Sequence, residues 1–315
     1  MSKKNYLLAL VAGFAVLVAG CTKPDAQKPD SGNEPDKITS ADFVVTWGQG
    51  EDTDMLVLKE DGTFSEKGWE ETISGKWSYN ENDSTITMTP DGGDARTMNV
   101  LLIGGKAWLV LIEENGEGEY KFRFANSYRK AGATVKSAPL GDGRWDAPHG
   151  GVKPAEYNED ADYSMCLVVA GNNIDMYVPM WGYHIQGTFT LENGHLQITT
   201  DDDHIWAGKQ ISVQDSDHWS FGWMAWSEEG DCHSMNPETF ELVGYTWYSV
   251  NQLKRMGHAP VDSSDYTFEA RIWEAAVQIH DEAMELCSFD LCVTDDGKDA
   301  YAGPSVGLIP WFYKR

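Results

Sequence analysis

Ile73-Ser-Gly-Lys-Trp77, running through a turn into Ser84-Thr-Ile-Thr-Met-Thr89, is the passage that decides the fold. Its pattern returns at Ile185-Gln-Gly-Thr-Phe189 and His195-Leu-Gln-Ile-Thr-Thr200. Each copy is an alternating segment, an Asn/Glu/Asp/Gly turn and a second alternating segment, which spells a β-hairpin. Ile73, Gly75, Trp77 and Tyr79 fall on one face, and Ser74, Lys76, Ser78 and Asn80 on the other. That is the two-residue period of a half-buried strand. A hairpin written twice divides a chain of 315 residues into two copies of a small β-domain.

Outward from the first hairpin, short alternating segments continue through residues 41–132. They are joined by turns such as Glu60-Asp-Gly62, Asp91-Gly-Gly93 and Gly104-Gly105. This regular spacing without a helical period predicts an all-β meander closed into a barrel or sandwich. In the second copy, Met165-Cys-Leu-Val matches Met55-Leu-Val-Leu. Trp219 matches Trp108, and the Thr239–Val243 segment matches Tyr120–Phe124. These matches place the second domain at 140–255, beyond a seam after Lys130. Residues 256–315 show no third copy. Phe268, Ile272, Ala276, Ile279, Ala283 and Leu286 recur at helical spacing and predict an amphipathic helix, although Tyr266–Ile272 also alternates as a strand would. Strands are expected at Ser288–Thr294 and Val306–Tyr313, with Pro310 marking the last as an edge. The helix would cap a barrel mouth or dock on the second domain.

Leu56-Val-Leu-Lys-Glu-Asp-Gly-Thr-Phe64, followed by Gly75-Lys-Trp77, resembles the lipocalin-like domains of lipoproteins from diderm bacteria. Gly143-Arg-Trp145 is similar to the glycine–tryptophan element that opens such barrels, and Gly187 and Phe189 repeat Gly75 and Trp77. The resemblance implies two consecutive antiparallel meander barrels that keep these six residues as motif and core positions. It also implies a small apolar or amphipathic ligand in a barrel mouth. Val45-Thr-Trp47 departs from the pattern by lacking the glycine. The family's basic residue against the first-strand tryptophan would be Arg123 or Arg129 in the first copy. In the second, only Lys254 or Arg255 offers itself.

The first twenty residues read as a targeting segment: Lys3 and Lys4, then the apolar run Leu7–Val18, too short to span a bilayer. Leu17-Val-Ala-Gly-Cys21 resembles a lipobox, which implies cleavage before Cys21 and acylation of its thiol. The alternative is an ordinary secretory signal with an incidental cysteine. Residues 21–40 carry too few apolar side chains to order and predict a flexible tether. The expected location is the cell envelope, anchored to outer-membrane lipid through Cys21, on either face. A net charge of −26 disfavours nucleic acid as a partner. Cys166, Cys232, Cys287 and Cys292 are compatible with three disulfide pairings or with free, buried thiols.

No GxSxG, P-loop, HExxH or calcium-loop motif occurs, so the sequence predicts no catalytic centre, cofactor or metal. Asp201-Asp-Asp-His204 reads as a solvated turn. The second copy is rich in aromatics: Trp219 and Trp223 alternate as core residues, whereas Trp181, Tyr183, Trp206 and Trp226 are candidates for a binding surface. Three functions stand open: a small apolar ligand in a barrel, a glycan stacked on exposed aromatics, and a ligand-free envelope scaffold.

Overall fold

The computed structural model describes residues 37–49, 52–68, 71–115, 122–148, 163–178, 182–213, 219–223, 246–262, 264, 267–303 and 311–315. Cys21 and residues 22–36 of its tether, Trp181, Trp226, Cys232 and Thr239–Val243 lie outside them, and so do the side chains of Trp219 and Trp223; the expected tether ends before Ser40, which opens a helical turn. Residues 38–315 form one compact unit.

A single helical turn, α1 (Ser40–Phe43), precedes β1 (Thr46–Gln49), β2 (Asp52–Leu58), β3 (Thr63–Lys67) and β4 (Thr72–Asn80). β5 (Thr85–Pro90), β6 (Arg96–Ile103), β7 (Trp108–Asn115) and β8 (Phe122–Lys130) follow. Each strand pairs antiparallel with the next, and β1 also pairs with β8, so the meander closes into a barrel without edges. Alternation turns Leu56, Leu58, Phe64, Ile86, Met88 and Leu109 inward, all at most 2 % exposed. Phe43 joins this cluster, its ring 4.7 Å from Tyr79 and 6.5 Å from Trp77. Trp47 is fully buried and donates its indole N–H to the Phe43 carbonyl at 3.1 Å, so the hydrogen bond of its one polar atom is made inside the core.

The second barrel starts the same way, with β9 (Gly143–Pro148), β10 (Tyr163–Ala170), β11 (Asn173–Val178), β12 (Tyr183–Glu192) and β13 (His195–Thr199). There the chain leaves the barrel. β14 (Ile205–Val213) pairs along one edge first with the first residues of β12 and then with β15 (Trp219–Trp223), and carries β16 (Thr246–Ser249) on its other edge. Two helices follow, α2 (Val250–Met256) and α3 (Phe268–Leu286). The chain then returns as β17 (Ser288–Val293), β18 (Asp299–Ala302) and β19 (Trp311–Lys314). β17 pairs with β13 and β19 with β9, which closes a second eight-stranded ring.

This topology corrects the expected boundaries. The second barrel does not end at residue 255, because 288–314 supply its last three strands. The counterpart of the Trp108 strand is β18, not the Trp219 strand, which pairs outside the ring. β19 is no edge: it lies between β18 and β9, and Pro310 lies outside the described residues. The basic residue is also reassigned. Lys130 stands opposite Trp47 and Lys314 opposite Trp145, with Lys314 Nζ 5.7 Å from the Trp145 ring centroid. Neither Arg129 nor Lys254 takes that place: Arg129 pairs with Gly48 and Trp108, and Lys254 lies on α2.

The helical spacing is realised in α3, where Ile272, Ala276, Ile279, Ala283 and Leu286 are buried in one cluster with barrel residues such as Trp145, Met165 and Phe289. Thr267 caps its N-terminus by accepting the Ala270 N–H at 3.2 Å. The two barrels meet through β7 and the last two strands. Trp108, Val110 and Ile112 pack against Tyr301, Trp311, Tyr313 and Cys292. Cys166, Cys287 and Cys292 are buried free thiols.

The repeated glycine of the two hairpins has one physical cause. A Cβ on Gly75 would lie 2.1 Å from the Thr89 carbonyl oxygen, and on Gly187 it would lie 2.3 Å from that of Thr199. Backbone cannot yield that far without losing rungs of the sheet. Gly75→Ala and Gly187→Ala should each cost about 1–3 kcal/mol in urea unfolding; unchanged midpoints would show that the strands tolerate separation there.

Candidate functional site

Because β14 replaces β13 beside the first residues of β12, the outer wall of the second barrel gains a row of rings. Tyr177 stands opposite His184, and His184 opposite Trp206. They alternate with Met176, Ile185 and Ala207, all fully buried in the core, and so face outward. Tyr177 stacks on His184 at 4.2 Å and 13°, and His184 on Trp206 at 4.9 Å and 27°. Trp247 of β16 meets His184 edge-on at 6.3 Å. The imidazole Nε2–H of His184 donates to Asp175 Oδ1 at 3.1 Å. That bond outweighs burial, and with Gln186 it holds the Asp175 carboxyl below the usual carboxylate range. Burial, reinforced by the negative charge of Asp175, pushes the Tyr177 phenol up to about 12.

Beside this row lies a groove of about 460 Å³ over the start of β11, the middle of β12 and the end of β13. Its walls offer the carboxyls of Asp175 and Asp201, the amides of Asn173 and Gln186, and the hydroxyls of Thr188, Thr199 and Thr200. His204 completes the lining and meets Trp206 edge-on at 5.9 Å. The expected turn at Asp201–His204 is therefore also a wall of this groove. Asp201 Oδ1 accepts the Asp203 N–H at 3.0 Å and the His204 Nδ1–H at 2.6 Å, a local arrangement typical of aspartate turns. The His204 bond holds the Asp201 carboxyl below its ordinary value. Asp202 serves the opposite side, accepting from Lys254 Nζ at 2.7 Å and His280 Nδ1 at 2.8 Å. Asn251 donates to Asp203 at 2.8 Å, so α2 and α3 brace the loop from behind.

Of the four aromatic candidates, Trp206 lies in the row, and Trp181 and Trp226 are outside the described residues. Tyr183 is not a surface residue. It is fully buried between Val178 and Ala207 on the inward face, and its hydroxyl donates to Glu282 of α3. The reason is register: Tyr183 shares the phase of Ile185, and only the neighbours with the phase of His184 face outward. Tyr177, His184 and Asp175 were not among the predicted residues. Alternation within each segment is the signal that sets their phase, but it does not name the strands that bring them together.

The motif residues hold core or closing positions. Trp77 is 8 % exposed and donates its indole N–H to the Lys59 carbonyl at 2.9 Å; Trp145 is fully buried and donates to the Gly141 carbonyl at 3.0 Å. Gly143 opens β9, and Phe189 packs half-buried against the second core. In the first barrel the inward cation Arg96 donates to Glu66, whose other oxygen accepts the Tyr128 hydroxyl at 3.1 Å. That arrangement spends the charge an anionic ligand would need. Among the described residues, no cluster of three or more His, Cys, Asp or Glu side chains is placed to hold a metal ion.

Burial of Asp202 opposes its ionisation, but the bonds from Lys254 and His280 prevail and hold its carboxyl below the ordinary value. A carboxyl depressed in the folded chain adds stability above its unfolded pKa, near 4, and loses it as pH falls through the folded value. Asp202→Asn should therefore lower stability by about 1 kcal/mol at neutral pH. The gap from wild type should close as pH falls below the ordinary carboxylate range in thermal melts; a gap constant down to acid pH would remove the ion pairs as its source.

Neither a protein-family model nor a curated protein nor a solved structure matches this chain.

Proposed function

We propose that this protein is a lipid-anchored lipoprotein of the cell envelope, with two lipocalin-like barrels, and that its second barrel binds a neutral carbohydrate in the outer groove. The carrying observation is the groove of about 460 Å³ lined by carboxyls, amides and hydroxyls beside the Tyr177–His184–Trp206 row. Its volume falls within the range of small-ligand sites. Asp175 and Asp201 are carboxylates at neutral pH and accept hydroxyl donors, whereas Asn173 and Gln186 both donate and accept. An apolar ligand would strip water from these polar edges without replacing its hydrogen bonds, at about 1–3 kcal/mol for each bond lost. An anion would meet two like charges. A sugar satisfies the edges, and its C–H faces suit the half-buried Trp206 ring.

A ligand inside a barrel has less support. The inward side chains of the first barrel are packed together, and α3 contributes five buried residues to the core of the second. Anchoring rests on Leu17-Val-Ala-Gly-Cys21 and the apolar run before it. Among the described residues no helix is long and apolar enough to cross a membrane. Acyl chains on Cys21 would supply the attachment, at about 0.8 kcal/mol per buried methylene.

Titration calorimetry of the whole protein with soluble neutral oligosaccharides should give binding that Trp206→Ala and Asp175→Asn each weaken by about tenfold, or ~1.4 kcal/mol. Binding of palmitate or a sterol probe without any oligosaccharide response would transfer the site to a barrel interior. Cys21→Ser should move the protein from the membrane to the soluble fraction; unchanged fractionation would remove the lipid anchor.

A further inference from the structure

The seam where β17 joins β13 places three side chains in a chemically specific order. The rungs are His195↔Asp290 and Gln197↔Ser288, while Leu196 and Phe289 between them face the core. His195, Gln197, Ser288 and Asp290 therefore share the outer face. Ser288 Oγ lies 3.0 Å from His195 Nε2, and His195 Nδ1 lies 3.0 Å from Asp290 Oδ1. With Nδ1–H donated to the carboxylate, Nε2 presents its lone pair to the serine hydroxyl. Nucleophile, base and orienting acid are linked in series by hydrogen bonds of the length acyl transfer requires.

The three groups sit on fixed backbone. Asp290 accepts the Gly303 N–H through its carbonyl at 2.7 Å, and Leu291 N–H donates to the Gly194 carbonyl at 2.9 Å, one residue from His195. A Cβ on Gly303 would come 2.9 Å from Asp290 Cβ, so only glycine lets this segment close over the acid. The carboxyl side chain is 14 % exposed, whereas the imidazole is 45 % exposed. The orienting group is thus sheltered while the base is open to a substrate. Gln197 stands opposite Ser288, and its amide Nε2 makes only long bonds, 3.2 Å to the Ile198 carbonyl and 3.3 Å to that of Cys287. A side-chain amide beside the nucleophile is a donor of the kind that stabilises an oxyanion.

We propose that Ser288, His195 and Asp290 form an acyl-transfer centre that hydrolyses short acyl esters of alcohols, independently of the carbohydrate groove. Ser288 Oγ attacks the ester carbonyl carbon as its proton passes to His195 Nε2. The tetrahedral adduct collapses, the bond to the alcohol oxygen breaks, and the alcohol leaves with the proton from His195. Water then attacks the acyl-serine and gives a proton to His195, the carboxylic acid departs, and the proton returns to Ser288. Asp290 is the positioning residue. The site lies on the convex outer wall of a barrel, which suits a short acyl group presented by a larger molecule.

The test uses the full chain with p-nitrophenyl acetate and a fluorophosphonate probe, read by release of nitrophenolate and by mass spectrometry of peptides. The expected result is one phosphonyl adduct on Ser288 in wild type, none on Ser288 after His195→Ala, and turnover reduced about 10²–10⁴-fold in Ser288→Ala and His195→Ala. Asp290→Asn should reduce turnover comparably with its circular-dichroism spectrum and melting temperature retained, and Asp290→Glu should restore part of it. No adduct on Ser288, or hydrolysis equal in wild type and Ser288→Ala, would overturn the proposal by leaving the trio as a surface hydrogen-bond chain. If Asp290→Asn does not fold, the adduct and the Ser288→Ala rate decide alone.

Discussion

Everything distinctive in the second half of this molecule depends on one set of backbone rungs, those between β13 and β17. A strand at the end of a curved sheet presents unpaired N–H and C=O groups, and burying them unpaired is costly. In the first barrel the next strand follows after a short turn. In the second, residues 200–287 intervene, and the partner comes back from far along the chain. The cost of closing so long a loop rises only slowly with its length, so the ring tolerates the excursion. The excursion then becomes useful: it delivers α3 to the core, β14 to the flank of β12 and Ser288 to the side of His195.

Local features were legible because their causes are local. The duplicated hairpin appears as β4–β5 and β12–β13, and Gly75 and Gly187 are glycines for the same reason, the carbonyl crossing beneath them. The spacing of Ile272, Ala276, Ile279 and Ala283 likewise found its helix, since burying one face needs only a core to meet. Pairing partners were not legible. Trp219 opens an alternating strand much as Trp108 does, yet alternation fixes which side chains share a face and leaves the neighbouring strand open. The true counterpart, β18, is shorter and carries no tryptophan, so nothing in its sequence resembles β7.

The candidate groove failed to show in the sequence for the same reason. Asp175 and His184 meet through β11–β12 pairing, and Trp206 joins them only because β14 takes the place of β13 along the start of β12. Trp206 stood out as an aromatic in a polar neighbourhood. Tyr183 is an equally prominent aromatic, but one residue of phase separates the outward His184 from the inward Tyr183. The first-strand tryptophans and last-strand lysines tell a parallel story: Trp47 with Lys130 and Trp145 with Lys314 repeat faithfully once the closing strands are known.

The strands β18 and β19 have two loyalties. Ala300, Ala302 and Phe312 face into the second barrel, while Tyr301, Trp311 and Tyr313 face the first. This ties the order of assembly to the order of synthesis. The first barrel has all its strands once residue 130 has emerged, and it can fold while the rest is still arriving. The second must hold five strands open until residues 311–314 appear, and their arrival completes its ring and seals it to a neighbour already formed. The early barrel is thus the template on which the late one finishes, and until then the outer wall around Trp108 is the surface the cell must keep from sticking elsewhere.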